Sequence, residues 1–378
     1  MKPEEIRSWS EEFRKSSQGE FQINLWIPES PPARDFEARC HTMLTIAPKV
    51  ISSIMGLYDQ AFVAELKARR PELWYSLRAD DFAYTPPMRP SILTICRALI
   101  LALAAAGSVF AQANPDWTEP FPPFRIAGNL YYVGSKGLAN YLVTTPQGNI
   151  LINSDLEANV PLIKASIEKL GFKFTDTKIL LISHAHWDHD AGSAMIKEIT
   201  GARYMVMDAD VPVVESGGKA DFQYGKSPNF LYPPTKVDRV LHDGDEVRLG
   251  GAVLVAHLTP GHTKGCTTWA MKVTEGGKTY DVVIVGSPNV NPGYKLVHNR
   301  NYPQIARDYE RMWSVLKSLP CDIFLGAHGG YFGLEGKYPL MKGRGANPFV
   351  DPSGYQNFVA QKEQDFRTEL AKQKLAPK

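Results

Sequence analysis

Lys178-Ile179-Leu180-Leu181-Ile182-Ser183, followed directly by His184-Ala185-His186-Trp187-Asp188-His189, is the stretch on which the reading of this chain turns. The apolar run between Lys178 and Ser183 has the length and composition of a buried strand. The six residues after it place three imidazoles and a carboxylate at the strand's C-terminal exit. Three of the chain's 9 histidines fall there. Side chains leaving a strand end at this spacing can converge on a small volume, and neutral imidazole with carboxylate is the usual ligand set for zinc. The plainer alternative is a loop cluster whose histidines satisfy one another by hydrogen bonds.

Two further histidines follow the same design. Leu254-Val255-Ala256-His257-Leu258 reads as a strand running into Thr259-Pro260-Gly261-His262, where the Pro-Gly pair forces a turn. Cys321-Asp322-Ile323-Phe324-Leu325-Gly326 is a short apolar strand that ends in Ala327-His328-Gly329-Gly330. Histidine at the C-terminal edge of three strands is how α/β sheets build sites. His41, His242, His257 and His298 lack that context and read as ordinary histidines.

On these residues the chain resembles a metallo-β-lactamase-fold hydrolase, most closely the third subclass of metallo-β-lactamases (subclass B3), in which neither zinc site uses cysteine. The similarity runs from about Trp117 to the C-terminus. It includes Asn129-Leu130-Tyr131-Tyr132-Val133-Gly134, His184 to His189, Gly261-His262-Thr263, Leu319-Pro320-Cys321-Asp322 and His328. The resemblance implies an α/β fold, the αββα four-layer sandwich, with two Zn2+ ions. It implies that His184, His186 and His262 hold the first, and Asp188, His189 and His328 the second. It further implies that a metal-bound hydroxide opens the ring of a small-molecule β-lactam, conferring antibiotic resistance. Asp188 would supply the second zinc's single negative ligand and orient the nucleophile. Ser287 and Asn289 are candidates for hydrogen bonds to the substrate carboxylate.

The strand Asp281-Val282-Val283-Ile284-Val285 leads into Gly286-Ser287. Glyoxalase II-like and RNase Z-like relatives place a bridging aspartate at that point, and the first lactamase subclass a cysteine. Serine is a poor zinc ligand, so the second metal would need His189. Flavodiiron oxidoreductases need a carboxylate where His186 stands. A lactonase- or glyoxalase II-like hydrolase of the same fold is the runner-up, and an iron-dependent persulfide dioxygenase a further alternative. A non-catalytic binding protein would leave six ligands without a task. Two positions depart from the family pattern. Asn153 stands where the early aspartate is expected, with Asp155 two residues on, and Asn289 replaces a second serine.

The chain's 378 residues, 44% hydrophobic and 22% charged, are ordinary for a globular protein, and a net charge of +2 gives no reason to invoke nucleic acid or an anionic membrane. No obligate protein partner is evident, and no repeat or low-complexity tract interrupts the chain.

The N-terminal third is unusual. Met88-Arg89-Pro90 and Arg97 make a basic start, residues 98–106 an apolar core, and Val109-Phe110-Ala111 a small-residue cleavage site. These are the parts of a secretory signal peptide over 88–111, too short for a membrane anchor of about 20 apolar residues. The expected mature domain is 112–378, periplasmic and free of the membrane. Residues 1–87 form an extension of doubtful reality. Translation starting at Met88 is the preferred explanation. The other is a small helical appendage, since Val50, Ile51, Ile54, Leu57 and Tyr58 recur at helical spacing. Cys40 and Cys96 would be lost with the leader, and Cys266 and Cys321 read as buried thiols rather than ligands.

Further expected elements are strands at 130–133, 141–144 and 150–152, helices near 160–170 and 193–200, and a closing amphipathic helix at 355–373. The long connection between Val214 and Val237, rich in glycine and aromatic residues, would suit a wall over the substrate or a plain surface loop.

Overall fold

The computed structural model describes residues 114–343 and 345–375, with the strand residues 22–26, 50–54 and 74–76. The signal-peptide segment, His41, Cys40 and Cys96 lie outside the described residues. The chain divides into two units, Met1–Gly107 and Ser108–Lys378. In the first, β1 (Gln22–Trp26), β2 (Val50–Ile54) and β3 (Trp74–Ser76) form a parallel sheet in the order β1-β2-β3. The helical reading of 50–58 is therefore corrected over its first five residues. Val50, Ile51 and Ile54 are β-branched, and such side chains favour the extended backbone whatever their spacing.

The second unit is built on two sheets. One holds β4 (Phe124–Ala127), β5 (Leu130–Tyr132), β6 (Tyr141–Thr145), β7 (Gly148–Ile152), β8 (Thr177–Leu181), β9 (Arg203–Met207) and β10 (Arg239–Leu241), in the spatial order β10-β9-β8-β7-β6-β5-β4. The other runs β11 (Glu246–Leu249), β12 (Ala252–Leu258), β13 (Thr267–Glu275), β14 (Lys278–Val285) and β15 (Ile323–Gly326) in sequence order. β7 to β10 pair in parallel, as do β14 and β15.

Side-chain alternation sorts the central strands between two cores. Ile150, Ile152, Ile179 and Leu181 join Ala256, Trp269, Met271 and Val283 in one buried cluster. Leu151 and Leu180, between them in sequence, join Ile163, Ile167 and Ile196 in another. The last three lie on helices Val160–Lys169 and Ser193–Thr200, which cover the outer face of the first sheet. Helices Ile305–Ser318 and Pro352–Leu375 cover the second, through Trp313, Leu316, Tyr355 and Phe366 packed with Ile323 and Phe324. These are the expected four layers, helix-sheet-sheet-helix, and the strand and helix positions agree with expectation to within a few residues. Among the described residues no helix is long and apolar enough to cross a membrane.

Candidate metal centre

β8, β12, β14 and β15 all end toward one edge of the sandwich, and each delivers polar side chains there. Past β8, the Ser183 backbone N–H donates to Asn153 Oδ1 at 2.7 Å, and Asn153 Nδ2 donates to the Ala139 carbonyl at 3.0 Å. Asn153 sits in the left-handed region with φ 67, and Asp155 with φ 56, a conformation Asn and Asp tolerate better than most residues. The departure at Asn153 thus has a structural use: its amide braces the exit of the ligand strand as donor and acceptor together. His186 then caps the one-turn helix Trp187–Asp190, which projects Asp188 and His189 inward.

All six predicted ligands come together. His186 Nδ1 and His262 Nε2 lie 3.1 Å apart, and the ligand atoms of His184, His186 and His262 all fall within 4.8 Å of one another. His189 Nε2 and His328 Nε2 are also 3.1 Å apart, with Asp188 Oδ2 at 3.2 Å from the first and 3.8 Å from the second. Two nitrogens on one tetrahedral zinc, each about 2.0–2.1 Å from it, stand roughly 3.3 Å apart. The buried His184 Nε2 has no hydrogen-bond partner among the described atoms. Converging buried imidazole nitrogens are what a cation satisfies, so this donor set fits a metal. His242, His257 and His298 stand outside the cluster.

The electrostatics agree. Burial first, then the neighbouring histidines, push His184 and His262 well below the usual histidine range. Burial and His189 bring His328 down to about 3. These rings are therefore neutral at pH 7, with lone pairs free to ligate. His262 Nδ1–H donates to the Asn289 carbonyl at 2.8 Å, which turns its Nε2 lone pair toward His186. At Asp188 burial works to raise the pKa, but His189, His328 and His186 outweigh it and hold the carboxyl below its ordinary value. At His186 burial is outweighed the other way by Asp221, whose Oδ2 lies 3.6 Å from Nε2.

A cavity of about 440 Å3 opens over the cluster, lined by Trp117, Trp187, Tyr224, Phe230, Ser287 and Asn289 beside the ligands. The long connection after Val214 is therefore a wall of the cavity, through Tyr224 and Phe230. Both candidate substrate residues face the same space. Cys266 and Cys321 are free thiols outside the ligand set, with pKa values raised to about 12 by burial.

Asp210 was missed from sequence. Its Oδ2 accepts from Ala185 N–H at 3.0 Å and Thr263 Oγ1–H at 2.7 Å, and its Oδ1 from Gly265 N–H at 2.8 Å. One buried carboxylate thus clamps the loop carrying His184 and His186 to the loop carrying His262. Glycine is needed at 265 for this approach, since a Cβ there would lie 2.6 Å from the Asp210 nitrogen. The signal available was a carboxylate at a strand exit, yet Asp208 and Asp210 both follow β9.

Residues 139–275 match the metallo-β-lactamase superfamily. The structure is similar to the native FEZ-1 metallo-β-lactamase from Legionella gormanii, at 63% identity over 68% of this chain and 99% of that one, with a TM-score of 0.68. It is also similar to BJP-1, a subclass B3 metallo-β-lactamase of Bradyrhizobium japonicum, at 38% identity over 69% and 97% of the two chains, TM-score 0.65. Among curated proteins, a hydroxyacylglutathione hydrolase of Rhodopseudomonas palustris (strain BisB5) is 30% identical over 124 residues, 32% of this chain and 39% of its own length. The chain spans about 39% to 54% of the length of the curated relatives it matches. This chain belongs to the metallo-β-lactamase superfamily, and within it is most like the subclass B3 proteins.

Proposed function

We propose that this chain is a zinc-dependent β-lactam hydrolase of subclass B3 type, exported to the periplasm, where it confers β-lactam resistance. The observation that carries the reading is the pair of ligand triads sharing one cavity, each with two imidazole nitrogens 3.1 Å apart. His184, His186 and His262 would hold one zinc, and Asp188, His189 and His328 the other. Zinc in such sites supplies Lewis acidity and hydroxide near neutral pH. Asp188 offers a charged acceptor to orient the attacking oxygen. Ser287 and Asn289 stand at the cavity wall to receive the substrate carboxylate, while Trp117, Trp187, Tyr224 and Phe230 exclude water around the reacting bond.

Zinc-loaded protein is expected to hydrolyse a carbapenem and a cephalosporin, and to stop when a chelator is added. Elemental analysis should find two zinc ions per chain. His262→Ala should lose mainly the first and His328→Ala mainly the second. Well-folded protein carrying one zinc, or mostly iron, overturns the assignment, and a single iron per chain would favour the dioxygenase reading. A glyoxalase II-like thioesterase is favoured by the hydroxyacylglutathione hydrolase similarity. Ser287 argues against it, because its hydroxyl faces Tyr331 at 3.2 Å where those relatives place a bridging aspartate. Thioesters or lactones outcompeting β-lactams would decide for that alternative.

The periplasmic placement rests on the leader-like order of residues 88–111. Exported protein is expected to begin at Gln112. N-terminal sequencing of periplasmic material that starts well upstream of Met88 would overturn it.

A further inference from the structure

Tyr331 is not among the residues lining the cavity, yet its hydroxyl reaches Ser287 and Asn289, which are. Asn289 Nδ2 donates to Tyr331 Oη at 2.8 Å, and Ser287 Oγ lies 3.2 Å from the same oxygen. The ring is held by its surroundings. It packs 5.0 Å from the His328 ring and 5.1 Å from that of Phe358, both between centroids. Gly326 makes room for it, since a Cβ at that position would lie 2.8 Å from Tyr331 Cδ2. Asn289 is fixed as well, its carbonyl accepting from His262 Nδ1–H at 2.8 Å and Tyr309 Oη–H at 2.6 Å.

A phenol has one hydrogen to donate. With Asn289 supplying a hydrogen to Oη, Ser287 Oγ at 3.2 Å is the acceptor within reach of the phenol's own hydrogen. Ser287 then accepts from behind, and its hydroxyl hydrogen is left to point into the cavity. Hydrogen bonds in such a chain polarise one another in the same direction. Burial holds the Tyr331 pKa far above the ordinary phenol value, so the donor persists across the working pH range.

We propose that Tyr331 is a positioning residue that sets the Asn289–Tyr331–Ser287 chain so that Ser287 presents a hydrogen-bond donor to the substrate carboxylate. This rests on the β-lactam hydrolase reading.

The test compares wild type, Tyr331→Phe, Ser287→Ala and the double variant, all zinc-loaded, on one cephalosporin and on its carboxylate methyl ester. Tyr331→Phe should raise KM for the free acid roughly tenfold, the scale of a lost hydrogen bond to a charged group, with kcat changed by less than about twofold. KM for the ester and the zinc content should stay at wild-type values. Ser287→Ala should raise KM for the acid similarly, and the double variant no further than either single change. Equal KM changes on acid and ester, or effects that multiply in the double variant, overturn the proposal. Titration of benzoate into the same zinc-loaded proteins keeps the two readings apart. Wild type that hydrolyses neither lactam rejects the hydrolase reading. In that case a roughly tenfold weaker benzoate affinity in Tyr331→Phe still supports the positioning role, and an unchanged affinity overturns it.

Discussion

Replacing Asp188 by asparagine is expected to lower β-lactam turnover by about a hundredfold or more. The side chain is nearly isosteric, so packing around a residue only 8% exposed survives. The charge does not. Asp188 Oδ2 stands 3.2 Å from His189 Nε2 and 3.8 Å from His328 Nε2, and it is the single anionic member of the six-residue set. Asparagine weakens metal binding at that triad and removes the acceptor that would hold the attacking oxygen in line with the carbonyl. Asp188→Glu restores the charge on a longer arm and should recover little, because a carboxylate moved by one methylene no longer meets both histidines. Steady-state kinetics with parallel zinc analysis checks this. Near-wild-type turnover of Asp188→Asn with both zinc ions bound would make Asp188 a structural residue and the mechanism wrong.

Asp210→Ala should be costly in another way. It strips acceptors from two buried backbone N–H groups and one hydroxyl, those of Ala185, Gly265 and Thr263. Each unpaired buried donor costs about 1–3 kcal/mol, so the chain should lose roughly 3–5 kcal/mol. For a domain of this size that is a fall in Tm of about 10 °C, readable by calorimetry with chelator present. The loops bearing His184, His186 and His262 also lose their common anchor, and zinc affinity at the first triad should fall more than at the second. A variant that keeps wild-type Tm would show that the two loops are held apart from Asp210.

The ligand triads were legible because local chemistry and strand position coincide in the sequence. Four of the six ligands lie within one hexapeptide, and the other two each follow an apolar strand. The fold came with them through the family resemblance they carry, and the unbroken apolar runs of β7 and β8 fit a sheet covered on both faces. What stayed hidden depends on partners distant in sequence. Asp210 meets residues 25 and 55 positions away, and Tyr331 meets Asn289 and Ser287 at 42 and 44. No periodicity carries that information. The wall after Val214 announced itself by composition alone, because only the folded loop decides which aromatic rings turn inward. At 50–58 spacing misled, and the β-branching of Val50, Ile51 and Ile54 was the better guide.

Each triad draws two members from the seven-stranded sheet and one from the five-stranded sheet: His184 and His186 with His262, Asp188 and His189 with His328. The site is therefore a rivet through the seam of the molecule. The 3.1 Å gaps tolerate little sliding, so a small parting of the two leaves breaks both triads in the same event. Metal bound in both triads would therefore be linked to closure of the seam, each favouring the other. Amide protons along the inner strands would report that coupling, exchanging together and slowly when the rivet is set, and early at the seam when it is drawn.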